Sequence, residues 1–352
     1  MEQGVDRTRI DLRKQPETGQ IARAFARALD LAQLHEGATA PNPPVGCVLL
    51  DSSGAEIAAG AHRRAGTQHA EIHALAAARE SGLFDRIHTV VVTLEPCNHH
   101  GRTPPCSEAI LASSAQQVVI ACRDPNPRAV GGAERLVQEG RTVHFLSEMS
   151  HPEAPGLMAR AERLLAPFAK HVRTGLPFVT IKQAISAAGS MIPEPGRKTF
   201  TSAASLVLAH RLRRRADAIL TGSGTVLADD PHFTVRHVPD HEGRQRLLVI
   251  LDRRRAVSPH YQSAARQRGF DVLIADDPAS ALTGIGASGA MEALVEAGPS
   301  VTASMLDAGL WDEHVLIEQA AGAGNEDRVT VRRNPAFSLD SQGKGTDVLR
   351  HY

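Results

Sequence analysis

Along residues 21–33 the apolar positions Ile21, Ala24, Phe25, Ala28, Leu29 and Ala32 recur at steps of three and four, which predicts an amphipathic helix. Pro41-Asn42-Pro43-Pro44 breaks that periodicity, and the apolar run 45–50 reads as a buried strand. Gly54 turns the chain into a second strand over 56–60. A helix over 69–80, a strand over 89–94, a Pro- and Gly-rich loop over 95–105 and a helix over 107–114 follow. Strands over 117–121 and 142–146 complete this part. Strands alternating with helices predict a layered α/β domain. A second alternation places strands over 178–182, 218–222, 247–252, 271–275 and 314–319, with a helix over 202–215. The polar, charged residues 1–20 read as an arm. The stretch 147–177, with Pro152, Pro155 and Pro167 around a helical run, reads as a linker. The expected organisation is therefore 1–20 arm, 21–146 first domain, 147–177 linker and 178–352 second domain.

A length of 352 residues supports two hydrophobic cores rather than one. Lys plus Arg and Asp plus Glu are both 39, so no global basic field attracts nucleic acid or anionic lipid. Aromatics make up 3% of residues, which leaves few rings for stacking on unpaired bases. The charged N-terminus does not read as a secretory signal, and no run of about 20 apolar residues spans a bilayer. Cys47, Cys97, Cys106 and Cys122 are too few for a disulfide scaffold in a chain this long. They suit metal or catalytic use in a reducing, cytoplasmic compartment. These features point to a small-molecule partner and away from nucleic acid and membrane.

His69-Ala70-Glu71 precedes Pro96-Cys97 and, eight residues further on, Cys106. One imidazole and two thiolates from His69, Cys97 and Cys106 form a three-ligand zinc set whose fourth tetrahedral position holds water. Zinc lowers that water's pKa from about 15.7 towards 7, and Glu71 is spaced to carry protons rather than to bind metal. His69 and Cys106 each fall at a predicted helix start, where the dipole favours thiolate. The pattern resembles the H-x-E…P-C…C signature of zinc nucleobase deaminases, with a longer loop between the cysteines. A closed structural zinc site requires a fourth ligand, for which His99 or His100 is available. A nucleic-acid editor using the same zinc chemistry is opposed by the charge balance. Cys47 and Cys122 sit in apolar strand contexts and read as core thiols.

The runs 41–48, 69–71, 94–106 (Leu-Glu-Pro-Cys-Asn-His-His-Gly-Arg-Thr-Pro-Pro-Cys) and 124–127 together resemble the bifunctional deaminase/reductase family of riboflavin biosynthesis. The resemblance implies a cytidine-deaminase-like N-terminal domain and a diaminopyrimidinone ribosylamino 5-phosphate substrate. It implies substrate contacts from Asn42, His62, Arg102, Thr103, Asp124 and Asn126. A carboxamide suits a heterocycle edge, and Arg102 and His62 suit phosphate. Pro-Asn-Pro is also good turn chemistry by itself.

The second half resembles the same family through 173–182, 217–231 and 234–236. This implies a dihydrofolate-reductase-like C-terminal domain that uses NADPH to reduce a ribosyl group to ribityl. Substrate or cofactor contacts are then expected from Lys182, Thr225, Asp229, Asp230, Arg236, Glu296 and Gly298. A homo-oligomer is implied as well. The family pattern is altered at Ser186-Ala187-Ala188-Gly189, at Thr199-Phe200-Thr201, at Ser205-Leu206 where Ala-Arg is expected, and at Glu296-Ala297-Gly298 where Glu-Gly-Gly is expected. Loss of an arginine-phosphate contact costs about 1.5–3 kcal/mol. Either Arg211 or Arg214 replaces the missing cation, or the domain serves an altered substrate, such as an azapteridine or flavin-like metabolite, or has lost hydride transfer.

Overall fold

The structure, a computed structural model, describes residues 16–99, 104–194, 196, 199–320 and 326–335. Two compact units are present. The first takes in the described residues up to His35 and from Pro44 to Leu164, and the second takes in Glu36–Pro43 and the described residues from Leu165 onward.

In the first unit the order is α1 (Thr18–Gln33), β1 (Gly46–Leu50), β2 (Glu56–Ala61), α2 (Ala70–Glu80), β3 (Thr89–Leu94), α3 (Cys106–Leu111), β4 (Gln117–Cys122), α4 (Gly132–Gln138) and β5 (Thr142–Phe145). Helix α1 starts three residues before the predicted position. Glu17 and Gln20 form a capping box there, supplying partners for otherwise orphaned N–H groups. The sheet order is β2-β1-β3-β4-β5, with β1 antiparallel to β2 and β3 and with β3, β4 and β5 parallel. Strands β1, β3 and β4 are buried along their whole length, which explains their unbroken apolar runs. Cys47, Leu49, Val90, Val92, Val118 and Ile120 pack with Ala74, Leu75 and Ile110 in one cluster. The backbones of β1 and α1 touch at Gly46, where a Cβ would lie 1.9 Å from the Ala28 carbonyl oxygen.

Helix α5 (Ala154–Thr174) runs through Pro167 and occupies most of the stretch 147–177 expected to join the domains. The second unit continues with β6 (Phe178–Ile185), α6 (Ala203–Arg215), β7 (Ala218–Gly222), α7 (Ser223–Asp229), β8 (Arg246–Leu251), α8 (Pro259–Gln267), β9 (Phe270–Ala275), α9 (Pro278–Ala287), β10 (Glu292–Val295), α10 (Pro299–Asp307), β11 (Glu313–Glu318) and β12 (Arg328–Arg333). Its sheet order is β12-β11-β6-β10-β7-β8-β9, parallel except for β12. The carboxyl ends of β6, β7, β8 and β10 therefore lie along one edge, where open α/β sheets bind ligands. Among the described residues no helix is long and apolar enough to cross a membrane.

Candidate functional site

Residue His69 is the N-cap of α2, and Cys106 is the first residue of α3 after Pro105. Cys97 lies three residues beyond the end of β3. The three elements bring His69 Nδ1 to 3.7 Å from Cys97 Sγ and 3.3 Å from Cys106 Sγ. All three donor atoms lie within 4.8 Å of one another. Tetrahedral zinc, with bonds of about 2.0–2.1 Å to nitrogen and 2.3 Å to sulfur, separates such donors by about 3.6 Å. The donor set therefore fits zinc in both chemistry and spacing. Among the described residues no fourth His or Cys joins this cluster; His99 stands outside it, and His100 lies outside the described residues.

The sulfurs act as a pair. A hydrogen bond from Cys106 pulls the Cys97 thiol down to about 4, and the His69 side chain and the Cys106 N–H (3.4 Å) act in the same direction. The same pairing, with burial, pushes Cys106 up. The pairing thus favours one thiolate over two, and a divalent cation between the sulfurs would favour both. The hydrogen bond to Cys97 raises the His69 imidazole.

Glu71 lies in the first turn of α2 and is 4% exposed. Burial raises its carboxyl above the ordinary range, and it hydrogen-bonds with Cys106. A proton carrier therefore stands directly beside the donor cluster. His62 is buried, with its ring centroid 5.5 Å from that of His69, and its Nδ1 donates to the Gln68 carbonyl at 3.0 Å. Burial lowers its proton affinity. Asp124 is pushed up to about 6, chiefly by burial and then by the Glu95 and Cys97 charges, against the bond it accepts from the Asn126 N–H at 2.8 Å. Asn126 Oδ1 accepts the Arg128 N–H at 3.1 Å. Asn42 lies on the segment that packs within the second unit, its N–H donating to the Thr39 carbonyl at 2.8 Å. Arg102 and Thr103 lie outside the described residues.

In the second unit, Glu296 is 6% exposed and receives Arg213 Nε at 3.1 Å on each oxygen and Arg213 Nη2 at 2.7 Å. Burial favours protonating Glu296, but the cations of Arg213 and Lys182 hold its carboxyl below the ordinary value. His210, one turn before Arg213 on α6, accepts the Arg236 N–H at 2.9 Å. Thr225 Oγ1 accepts the Gly298 N–H at 3.0 Å, tying α7 to the start of α10. Gly224 faces open space. Asp229, Asp230 and Arg236 are exposed, and Tyr261 fixes the adjoining Pro231 carbonyl at 2.6 Å. A cavity of about 420 Å³ lies nearby, with Gln183, Met191, Ile192, Pro299, Thr302 and Leu306 in its wall.

Residues 19–122 match the family model for the cytidine and deoxycytidylate deaminase zinc-binding region, and residues 177–344 match that for the RibD C-terminal domain. The chain is 36% identical to riboflavin biosynthesis protein RibD of Escherichia coli over 327 residues, 83% of this chain and 85% of that protein. The chain belongs to the RibD family. RibD of Mycobacterium tuberculosis is 36% identical over 292 residues, covering 82% of each chain. Two solved structures are similar. Acinetobacter baumannii RibD aligns with TM-score 0.71 and 30% identity over 89% of this chain and 90% of that one. The Thermotoga maritima diaminohydroxyphosphoribosylaminopyrimidine deaminase/5-amino-6-(5-phosphoribosylamino)uracil reductase aligns with TM-score 0.75 and 29% identity over 93% of each.

Two of the departures from the RibD pattern, Ala297 and Ser205, have local physical accounts. The Ala297 side chain packs against the apolar cluster around Val295 and Met305, so its methyl adds to the core. Ser205 donates to Asp327 Oδ2 at 2.6 Å, and the same oxygen accepts the Ser202 N–H at 2.7 Å. Of the arginines on α6, Arg211 is exposed, and the Arg214 carbonyl accepts Arg246 Nη2 at 3.0 Å. The one that meets Glu296 is Arg213, which sequence reasoning did not single out. Glu95 and His210 were also missed. Both are buried polar side chains; Glu95 lies within the run 94–106, yet only their partners reveal what either does.

Proposed function

We propose that this chain deaminates a diaminopyrimidinone ribosylamino 5-phosphate hydrolytically and then reduces the product's ribosyl group to ribityl with NADPH, as a bifunctional enzyme of riboflavin biosynthesis. The observation that carries the reading is the three-donor cluster with the buried Glu71 beside it, in a chain of the RibD family.

His69, Cys97 and Cys106 hold zinc, which when bound supplies the Lewis acidity that brings the pKa of water towards 7. Glu71 takes a proton from the attacking water and gives it to the ring nitrogen. It then carries the second proton of that water to the departing amine. Ammonia leaves, and a carbonyl replaces the exocyclic amino group. Asp124 and Asn126 orient the heterocycle with Thr103, while His62 and Arg102 meet the phosphorylated arm; Asn42 is a substrate contact on the strength of the family resemblance alone.

In the second unit Lys182, Thr225, Asp229, Asp230, Arg236, Glu296 and Gly298 serve the substrate and NADPH. The residues fit a dinucleotide. Gly224 is open to solvent, and the β7 and β10 ends lie in register, with Leu220 opposite Val295. NADPH when bound supplies the hydride. The Arg213 pairing keeps Glu296 ionised and fixed in position. The enzyme works as a cytoplasmic homo-oligomer, without nucleic-acid or membrane partners.

The test incubates the zinc-loaded full chain with the diaminopyrimidinone phosphate, with and without NADPH, and follows ammonia and NADPH absorbance. Ammonia release in both arms, with NADPH oxidised in step with product, is expected. No ammonia from zinc-replete protein would overturn the deaminase reading. Ammonia without NADPH oxidation would remove the reductase from it.

A further inference from the structure

Glu95 follows β3 directly, two residues before the zinc ligand Cys97, and is 2% exposed. Its carboxylate bonds both ends of the loop between β4 and α4. Oε1 accepts the Gly131 N–H at 3.1 Å and the Ala133 N–H at 3.2 Å, and Oε2 accepts the Asp124 N–H at 3.3 Å. The contact is reinforced from both sides. The Asn98 N–H donates to the Ala129 carbonyl at 3.2 Å. At Gly132 a Cβ would lie 1.8 Å from the Pro96 carbonyl oxygen, so the two backbones touch there. Asp124 in turn caps Asn126.

All three partners of Glu95 are N–H donors, and a buried carboxyl group is tolerated only where such donors satisfy its oxygens. An amide cannot replace it, because turning its oxygen to Gly131 and Ala133 sets its NH2 against the Asp124 N–H. The opposite orientation opposes two donors. The requirement is therefore for two acceptor oxygens in this place.

We propose that Glu95 is a positioning residue for deamination, holding Asp124 and Asn126 at a set distance from the Cys97 end of the metal cluster. The proposal rests on the deaminase reading above, in which those two residues orient the heterocycle.

The test compares Glu95→Gln with the parent in the full chain, and repeats the pair on an Asp124→Ala background. Zinc content, kcat and KM for ammonia release are measured for each. Ammonia release by the zinc-loaded parent is scored first, so a failure of the deaminase reading is seen before any variant is judged. With one charge-assisted bond lost and a donor opposed, E95Q is expected to raise KM about ten- to a hundredfold. Zinc should stay stoichiometric and kcat should stay within about threefold. On the Asp124→Ala background the same substitution should change KM less than about twofold. Unchanged KM in zinc-replete E95Q, equal effects on both backgrounds, or zinc lost in proportion to activity would each overturn the proposal. Should E95Q not fold, Glu95→Asp, which keeps the charge but shortens the reach by one methylene, is read by the same criteria.

Discussion

Replacing Glu71 by Gln isolates proton transfer from everything else at the cluster. The side chain is 4% exposed in the first turn of α2, so an isosteric amide refills the same space without a cavity. His69, Cys97 and Cys106 keep their positions because α2, α3 and the end of β3 set them, not Glu71. Burial already disfavours the ionised carboxylate, so neutralising it costs the fold little. What is lost is the buried carboxyl that hydrogen-bonds with Cys106 at the cluster. A positioned acid-base contributes about 10²- to 10⁴-fold, and here one group serves both water and leaving amine, which places the loss at the upper end. At 1.36 kcal/mol per decade this is about 4–5.5 kcal/mol of transition-state stabilisation. The assay is ammonia release at saturating substrate, with zinc measured on the same sample. Stoichiometric zinc, an unchanged melting temperature and a kcat lowered by three to four decades (about) are expected. E71Q within tenfold of the parent at full zinc would refute the shuttle assignment, as would a loss of activity that merely tracks a loss of zinc.

Cys106→Ser should leave the purified chain with well under one zinc per molecule and no deamination, because a hydroxyl replaces a thiolate in a three-ligand set; metal analysis after dialysis checks this, and full zinc retention would argue against ligation. Arg213→Ala strands a carboxylate that is 6% exposed, so unfolding free energy should fall by about 3–5 kcal/mol in denaturant titration, with a change below about 1 kcal/mol contradicting the pairing. His210 is lowered to about 4 by burial and by the Arg213, His237 and Arg236 charges. The unfolded chain gains that proton near pH 6.5 and the folded chain only near 4, so the stability this group contributes is whole above 6.5 and declines as pH falls towards 4. The slope is at most about 1.4 kcal/mol per pH unit and is reduced by solvent screening; His210→Gln, which still accepts the Arg236 N–H, should flatten it, and an unchanged slope would show that other groups titrate there.

The first unit was legible because its chemistry is local and its strands are apolar. His69 and Glu71 share one helix turn, and the two cysteines sit nine residues apart on one loop and the helix it starts. Strands β1, β3 and β4 are buried throughout, so continuous runs such as Val90-Val91-Val92 announce them. Elements lacking that signal were missed. Strand β12 is an edge strand with Arg328, Arg332 and Arg333 among its six residues, and only Val331 is buried. Strand β10 is four residues long and opens on Glu292, whose charge hides a fully buried strand. Helix α4 buries little beyond Ala133 and Leu136.

The second unit's site was harder to read because it depends on helical phase and on pairings across the whole unit. Arg211, Arg213, Arg214 and Arg215 are alike in sequence, yet α6 sends Arg213 to Glu296 and Arg215 to Glu292 and Glu313. A run of arginines gives no reason to choose one until the strands carrying those glutamates are placed. The same holds for Ser205-Leu206, where family resemblance implies Ala-Arg. A helix start leaves N–H groups in need of acceptors and favours negative charge. In this chain Asp327, just before β12, supplies that charge, and the Ser205 hydroxyl gives it a second donor. Serine, where the resemblance implies alanine, thus gives the Asp327 carboxylate a donor that alanine lacks. That donor is invisible in the sequence, because its acceptor lies more than a hundred residues further along the chain.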